Sequence, residues 1–214
     1  MIYVNSERAG KRVMASVTQY VEQRLKLKVN RQKSAVDRAT ERTLLGFRFA
    51  YRDEEVRVVV SPEALGRARG RIRRLSSRSW GVSMERRIAE INRFTVGWTA
   101  YYCFADSPYR FERLDKWLRR RLRQVRWKEW KLAPTRERNL RSLGVQAHMA
   151  HQWAHARKGY WRVARSPVLQ RALPNAYWAD QGLKGFTGPY HRLREATRTA
   201  GCGPARPVVW EAPG

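Results

Sequence analysis

The stretch that decides the fold is Gly97–Lys131, GWTAYYCFADSPYRFERLDKWLRRRLRQVRWKEWK. On the period of an α-helix, Phe111, Leu114, Leu118, Leu122 and Val125 fall on one stripe, the pattern of a helix with a buried face. Asp106 or Ser107 before Pro108 supplies a cap followed by proline at the first helical position. Away from the stripe lie Arg113, Lys116, Arg119, Arg120 and Arg123. If the helix continues, Trp127 and Trp130 stand among these cations with Lys128 and Lys131. Indoles on a cationic face suit a partner that offers both phosphates and π-faces, which is nucleic acid. A second reading ends the helix near Arg126 and packs both tryptophans on a later segment. Sequence leaves the two readings open.

Charge points the same way. The 214 residues are enough for one domain or two small ones with a core. Lys and Arg number 45 against 18 Asp and Glu, a formal charge of +27. Self-repulsion on that scale weakens a compact state unless a polyanion neutralises it. Apolar content is 43%, which excludes a disordered basic tail. A membrane surface fits less well, because the basic residues spread over several segments, and no apolar run is long enough to span a bilayer. Cys103 and Cys202 form neither a disulfide framework nor a zinc motif. Met1–Val4 carries no secretory signature, and a cytoplasmic location is expected.

Read in order, Ile2–Val4 suggests a buried strand, and Ser6 caps a helix reaching Leu25. Leu27–Val29 suggests a short strand before the polar turn Asn30–Lys33. The runs 44–49 and 56–60, separated by Arg52–Glu55, predict a hairpin. The carboxylates of Asp53, Glu54 and Glu55 belong to its solvated turn. From Ser61–Pro62–Glu63 onward the chain reads as all helix and strongly basic. Leu65, Ala68, Ile72 and Leu75 form one stripe amid Arg67, Arg69, Arg71, Arg73 and Arg74, and Ser83 caps the next helix. Beyond Pro134, a helix bearing Arg136, Arg138 and Arg141 ends at Gly144. His148, His151 and His155 follow, then a basic-aromatic turn with Lys158 and Arg162. After Gly185 periodicity fades, and residues 201–214 read as flexible. The expected class is α+β: a small β-containing front, a predominantly helical remainder and a flexible C-terminal tail.

Catalytic chemistry is not legible. His151 and His155 have the spacing of a metalloprotease pair. Gln152 stands where that motif has its glutamate, and no third ligand is evident in sequence. A solvated or RNA-facing pair is therefore the expectation, with no metal site, no catalytic residue and no cofactor in this chain. Lys33 reads as a phosphate contact, a proton donor or simply an exposed lysine.

The order of segments over Ile2–Gly185 resembles the C-terminal half of a bacterial group II intron-encoded reverse transcriptase/maturase. Leu27–Ser34, LKVNRQKS, resembles the family's late palm motif through Asn30 and Lys33. Leu44–Phe47 resembles its primer grip through Leu45, Gly46 and Phe47. Gly97–Trp98 with Tyr101–Tyr102 resembles the maturase-specific motif, Leu114–Leu122 the basic helix after it, and Arg171–Trp178 a segment near the family's C-terminus.

The resemblance implies four parts: residues 1–60 as the end of the reverse transcriptase palm, 61–131 as thumb helices and the start of the maturase domain, 132–185 as its remainder, and 186–214 as the tail. It implies a maturase-type protein of a mobile genetic element that binds structured group II intron RNA and assists RNA splicing. Arg113, Lys116, Arg119, Arg120, Arg123, Trp127, Lys128, Trp130, Lys131, Arg136, Arg138, Arg141, Lys158 and Arg162 would be the RNA-binding residues. Target DNA and a separately encoded N-terminal half are further implied partners; a membrane is not. The family's Tyr-Ala-Asp-Asp carboxylates precede the position of Ile2, so this polypeptide is expected to be inactive alone as an RNA-directed DNA polymerase. The full-length polymerase would need Mg2+, as two-metal transfer needs carboxylates to hold the ions. The alternatives are the C-terminal half of a split reverse transcriptase or a non-functional intron remnant. One expectation concerns a mutant: Arg120→Glu with Arg123→Glu weakens RNA binding and spares the fold.

Overall fold

The structure is a computed structural model, and it describes residues 2–52 and 55–199. The fold is α+β, with a three-stranded antiparallel sheet and ten helices among the described residues. The chain divides into two compact units, one running to Ser61 and one from Pro62.

The first unit contains α1 (Glu7–Gln23) and strands β1 (Thr43–Leu44), β2 (Phe47–Arg52) and β3 (Glu55–Val60) in the order β1-β2-β3. Ser6 Oγ caps α1 by accepting the Ala9 N–H at 3.2 Å. Leu45 and Gly46 join β1 to β2 with φ of 53° and 83°, the backbone of a tight I′-type hairpin turn. Strands β2 and β3 pair from Phe47↔Val60 to Arg52↔Glu55. Asp53 and Glu54, expected in the turn, lie outside the described residues, and Glu55 opens β3. Two expected strands are absent: Ile2–Val4 and Leu27–Val29 are irregular. A strand exists only through a partner's ladder, and neither segment belongs to the sheet. Ile2 and Tyr3 are exposed rather than buried.

The second unit is helical: α2 (Pro62–Leu75), α3 (Met84–Tyr102), α4 (Pro108–Glu129), α5 (Ala133–Ser142), α6 (Ala147–Ala154), α7 (Tyr160–Val163), α8 (Pro167–Ala172), α9 (Asn175–Asp180) and α10 (Thr187–Thr199). Its spine is α4, with Ser107 at the N-cap and Pro108 in the first turn. Phe111, Leu114, Leu118, Leu122 and Val125 are all buried, as the periodicity requires. Ala64, Ala68, Ile72 and Leu75 of α2 and Met84, Ile88 and Ile91 of α3 complete the adjoining core. Ser83 Oγ caps α3 through the Arg86 N–H.

Helix α10 corrects the expectation that the tail begins at 186. Phe186 and Tyr190 are buried. The Tyr190 ring stacks on Phe111 at 4.2 Å between centroids, and its hydroxyl donates to the Ala105 carbonyl. Two aromatic anchors one turn apart suffice to dock a helix whose other positions are mostly polar. Residues 201–214, expected to be flexible, lie outside the described residues. No helix among the described residues is long and apolar enough to cross a membrane.

Candidate nucleic-acid interface

The cations of the helical unit separate into two populations. One is spent on carbonyls of the protein itself. Buried Arg87 donates to the carbonyls of Leu75 and Ser77 at 2.9 and 3.0 Å and of Trp80 at 2.7 Å, and lies over the Trp80 ring. Arg121 reaches the same segment from α4, bonding Ser76 Oγ and the Arg73 and Ser76 carbonyls. Lys128 Nζ donates to the Arg78 carbonyl at 2.7 Å. Helix α2 ends at Leu75, so these groups sit where carbonyls lack helical partners and the dipole is negative. They act as a cationic latch on the α2 C-terminus.

Arg123 belongs to the same population. It is buried, donates to the Ala164 carbonyl at 3.2 Å and the Leu173 carbonyl at 3.4 Å, and ties α4 to the segment around α7 and α8. Burial, then the charges of Arg119 and Arg120, push its pKa down to about 10, so it remains charged at neutral pH. Arg120 stacks on Trp161 at 3.7 Å and donates to its carbonyl. The pKa values of Arg120 and Arg121 are also lowered, first by burial and then by neighbouring arginines: Arg165 for the former, Arg73 and Arg78 for the latter.

Three expectations change accordingly. Arg123 does not face solvent, because its guanidinium is used on buried carbonyls. Trp127 and Trp130 do not stand among exposed cations. They are 2% and 8% exposed, because α4 runs to Glu129 with later segments packed on its far side. Trp127 is covered by Arg136, 4.8 Å from its ring; both tryptophans are packed as the second reading has it, but the helix does not end near Arg126. The paired charge reversal at Arg120 and Arg123 is therefore a folding mutation, not a clean test of binding.

The second population faces outward. Arg113 lies over Tyr109, and Lys116 is exposed 3.9 Å from Glu112. Arg119 is half-buried, and Lys131, Arg138 and Arg162 are exposed. Arg141 pairs with Glu137 at 2.6 Å, and Lys158 lies over Trp153. In the first unit, Asn30 and Lys33 occupy a tight turn in which Asn30 Oδ1 accepts the N–H groups of Gln32 and Lys33. Lys33 is exposed there, while Leu45 and Gly46 form the tip of the β1–β2 hairpin and Phe47 begins β2.

The strongest outward feature is one to which the sequence reading gave no binding role. Helix α2 buries Ala64, Ala68, Ile72 and Leu75, which turns Gly66 and Gly70 to the opposite side. A Cβ placed on either glycine would meet nothing within 4 Å. Helical angles put Arg69 and Arg73 along one flank of the glycines and Arg67, Arg71 and Arg74 along the other, all of them exposed. An open groove lined by Arg73, Arg74, Leu75, Ser77, Ser79 and Trp80 continues the face beyond the helix. Two glycines cost a helix interior about 1 kcal/mol each relative to alanine, and no packing inside the described protein accounts for them. Tyr101, Phe104 and Tyr109 add exposed aromatic surface around the α3–α4 turn.

Residues 65–144 match the family model of the group II intron, maturase-specific domain. The match spans α2 to the end of α5 and so includes both the latch and the glycine–arginine face. No curated protein matches the chain.

Proposed function

We propose that the chain carries a C-terminal maturase region of a group II intron protein, and that it binds structured intron RNA and assists splicing through the outward face of α2. The observation that carries this reading is Gly66 and Gly70 bared between two rows of arginines. Bare helix backbone admits a sugar–phosphate chain closely, and the flanking guanidinium groups fork onto its phosphate oxygens. The aromatics near Tyr109 offer stacking surface for unpaired bases, the usual targets of RNA recognition.

Affinity for folded intron RNA should fall steeply with salt, because each neutralised phosphate releases condensed counterions. Arg67→Gln, Arg71→Gln and Arg74→Gln together should flatten the log–log salt slope by about 2–3 and weaken binding about 30-fold or more at low salt. A slope identical to wild type would overturn the role of α2. Gly66→Ala with Gly70→Ala separates stability from binding. The pair should raise the melting temperature, since alanine favours helix, while lowering RNA affinity. Equal affinity for folded RNA and duplex DNA at fixed salt would count against the maturase reading itself.

A second reading has its own observation. Ile2, Tyr3, Val17, Tyr20, Leu25, Leu27, Tyr51 and Val56 of the first unit are exposed, with few buried residues to set against them. An apolar surface of this kind favours completion by a separately encoded reverse transcriptase half. Co-expression with such a half should then protect these segments from proteolysis and yield polymerase activity that neither piece has alone.

A further inference from the structure

The sequence offers His151 and His155 as two possible metal ligands, and the fold supplies a third. Glu137 projects from α5 to meet them, and one ligand atom from each of the three lies within 4.8 Å of the others. We propose that Glu137, His151 and His155 form a binding site for a Zn2+-class divalent cation that fastens α5 to α6.

The turn between the two helices sets the geometry. Gly144 adopts φ +80°, its N–H donates to the Arg141 carbonyl, and the Val145 N–H donates to the Leu140 carbonyl. This is the paired bonding of a Schellman ending, which reverses the chain in a defined way. Leu140, Val145, Ala150 and Ala154 are buried beneath the turn. Glu137 is thereby held one turn before Leu140 and faces the histidine ridge of α6, with its Oε2 3.0 Å from His151 Nδ1.

The histidines are arranged for ligation. His155 Nδ1 lies 2.9 Å from the His151 carbonyl oxygen. A carbonyl only accepts, so Nδ1 carries the proton and Nε2 presents its lone pair. Such second contacts commonly fix the tautomer of a ligating imidazole. The two rings lie 4.4 Å apart between centroids, and both residues are exposed. Arg141 occupies Glu137 Oε1 at 2.6 Å, which leaves Oε2 for the ion and orients the carboxylate. Tetrahedral zinc with ligand bonds near 2.0–2.1 Å needs ligand atoms about 3.4 Å apart. Small rotations of two exposed rings close the remaining gap, and water completes the shell. His with carboxylate oxygen is a donor set zinc accepts, whereas Mg2+ prefers oxygen alone.

The test uses the full, tag-free chain, freed of nucleic acid. Zn2+ titrated calorimetrically should bind at one equivalent, and Co2+ in its place should give the intense visible bands of a four-coordinate site. Zn2+ should also raise the melting temperature. His155→Ala, His151→Ala and Glu137→Gln should each weaken binding about tenfold or more, and the two histidine variants should abolish the thermal shift. His148→Ala, on the same helix outside the triad, should bind as wild type. The proposal fails if wild type shows no saturable one-to-one binding, if His155→Ala binds unchanged, or if His148→Ala is as damaging as His155→Ala. The outcome does not depend on RNA binding.

Discussion

Arg87→Ala should lower the unfolding free energy by about 3–5 kcal/mol, which for a protein of this size moves the thermal midpoint by about 10 °C or more. The side chain is 1% exposed and donates to the carbonyls of Leu75, Ser77 and Trp80. Truncation removes the donor to the Leu75 carbonyl at the end of α2, leaves the Ser77 and Trp80 carbonyls with backbone donors alone, and removes the group that covers Trp80. Each acceptor left buried costs about 1–3 kcal/mol, and the cavity adds to this. Lysine carries the charge but not the fork, so Arg87→Lys should recover only part of the loss. Denaturation followed by circular dichroism provides the measurement. A midpoint within about 2 °C of wild type would show that the carbonyls find other donors and that the latch contributes little to stability.

The second large effect lies at Asp115. This buried carboxylate accepts the backbone N–H groups of Phe186 at 2.8 Å and Thr187 at 2.9 Å. It thus serves α10 as an N-terminal cap supplied from α4, in the favourable sense for a helix dipole. Asp115→Ala should cost about 2–4 kcal/mol and should release α10 before the rest of the unit, exposing Tyr190 and Phe186. Limited proteolysis or hydrogen exchange within 187–199 reads this directly. Gly185→Ala attacks the same joint from the other side. Residue 185 has φ +64°, and a Cβ there would lie 2.7 Å from Asp115 Oδ1. The two substitutions touch one contact, so the double mutant should lose less than the sum of the singles. Full additivity would indicate two independent sites.

How much of this was legible in sequence depended on whether a signal was local. The stripe Phe111–Val125 needed only helical periodicity, and the starts at Ser6, Ser83 and Pro108 needed only their capping residues. The fate of each arginine was not local. Arg113 and Arg123 look alike on a helical wheel, yet one lies over an exposed tyrosine and the other enters a shell of carbonyls from α7 and α8. Which carbonyls end up unsatisfied is a property of the tertiary fold. Glu137 as neighbour to His151 was likewise hidden, because a helix reversal separates them. The outward glycines of α2 were readable in principle. Their register against Ala64, Ala68 and Ile72 gives their direction, whereas the open space around them is a property of the folded unit. Helix α10 was missed because its apolar signal rests on few residues.

The buried arginines Arg87 and Arg123 grip amide oxygens rather than carboxylates, and this bears on how the protein is handled. Dissolved ions shield exposed charges within about a nanometre, so a strong brine strips a polyanion from the outer arginines. The same ions reach enclosed guanidinium–carbonyl bonds poorly, and they damp the mutual repulsion of a chain carrying +27. Molar sodium chloride during purification should therefore clear adhering nucleic acid while leaving the helical unit at least as resistant to heat as before.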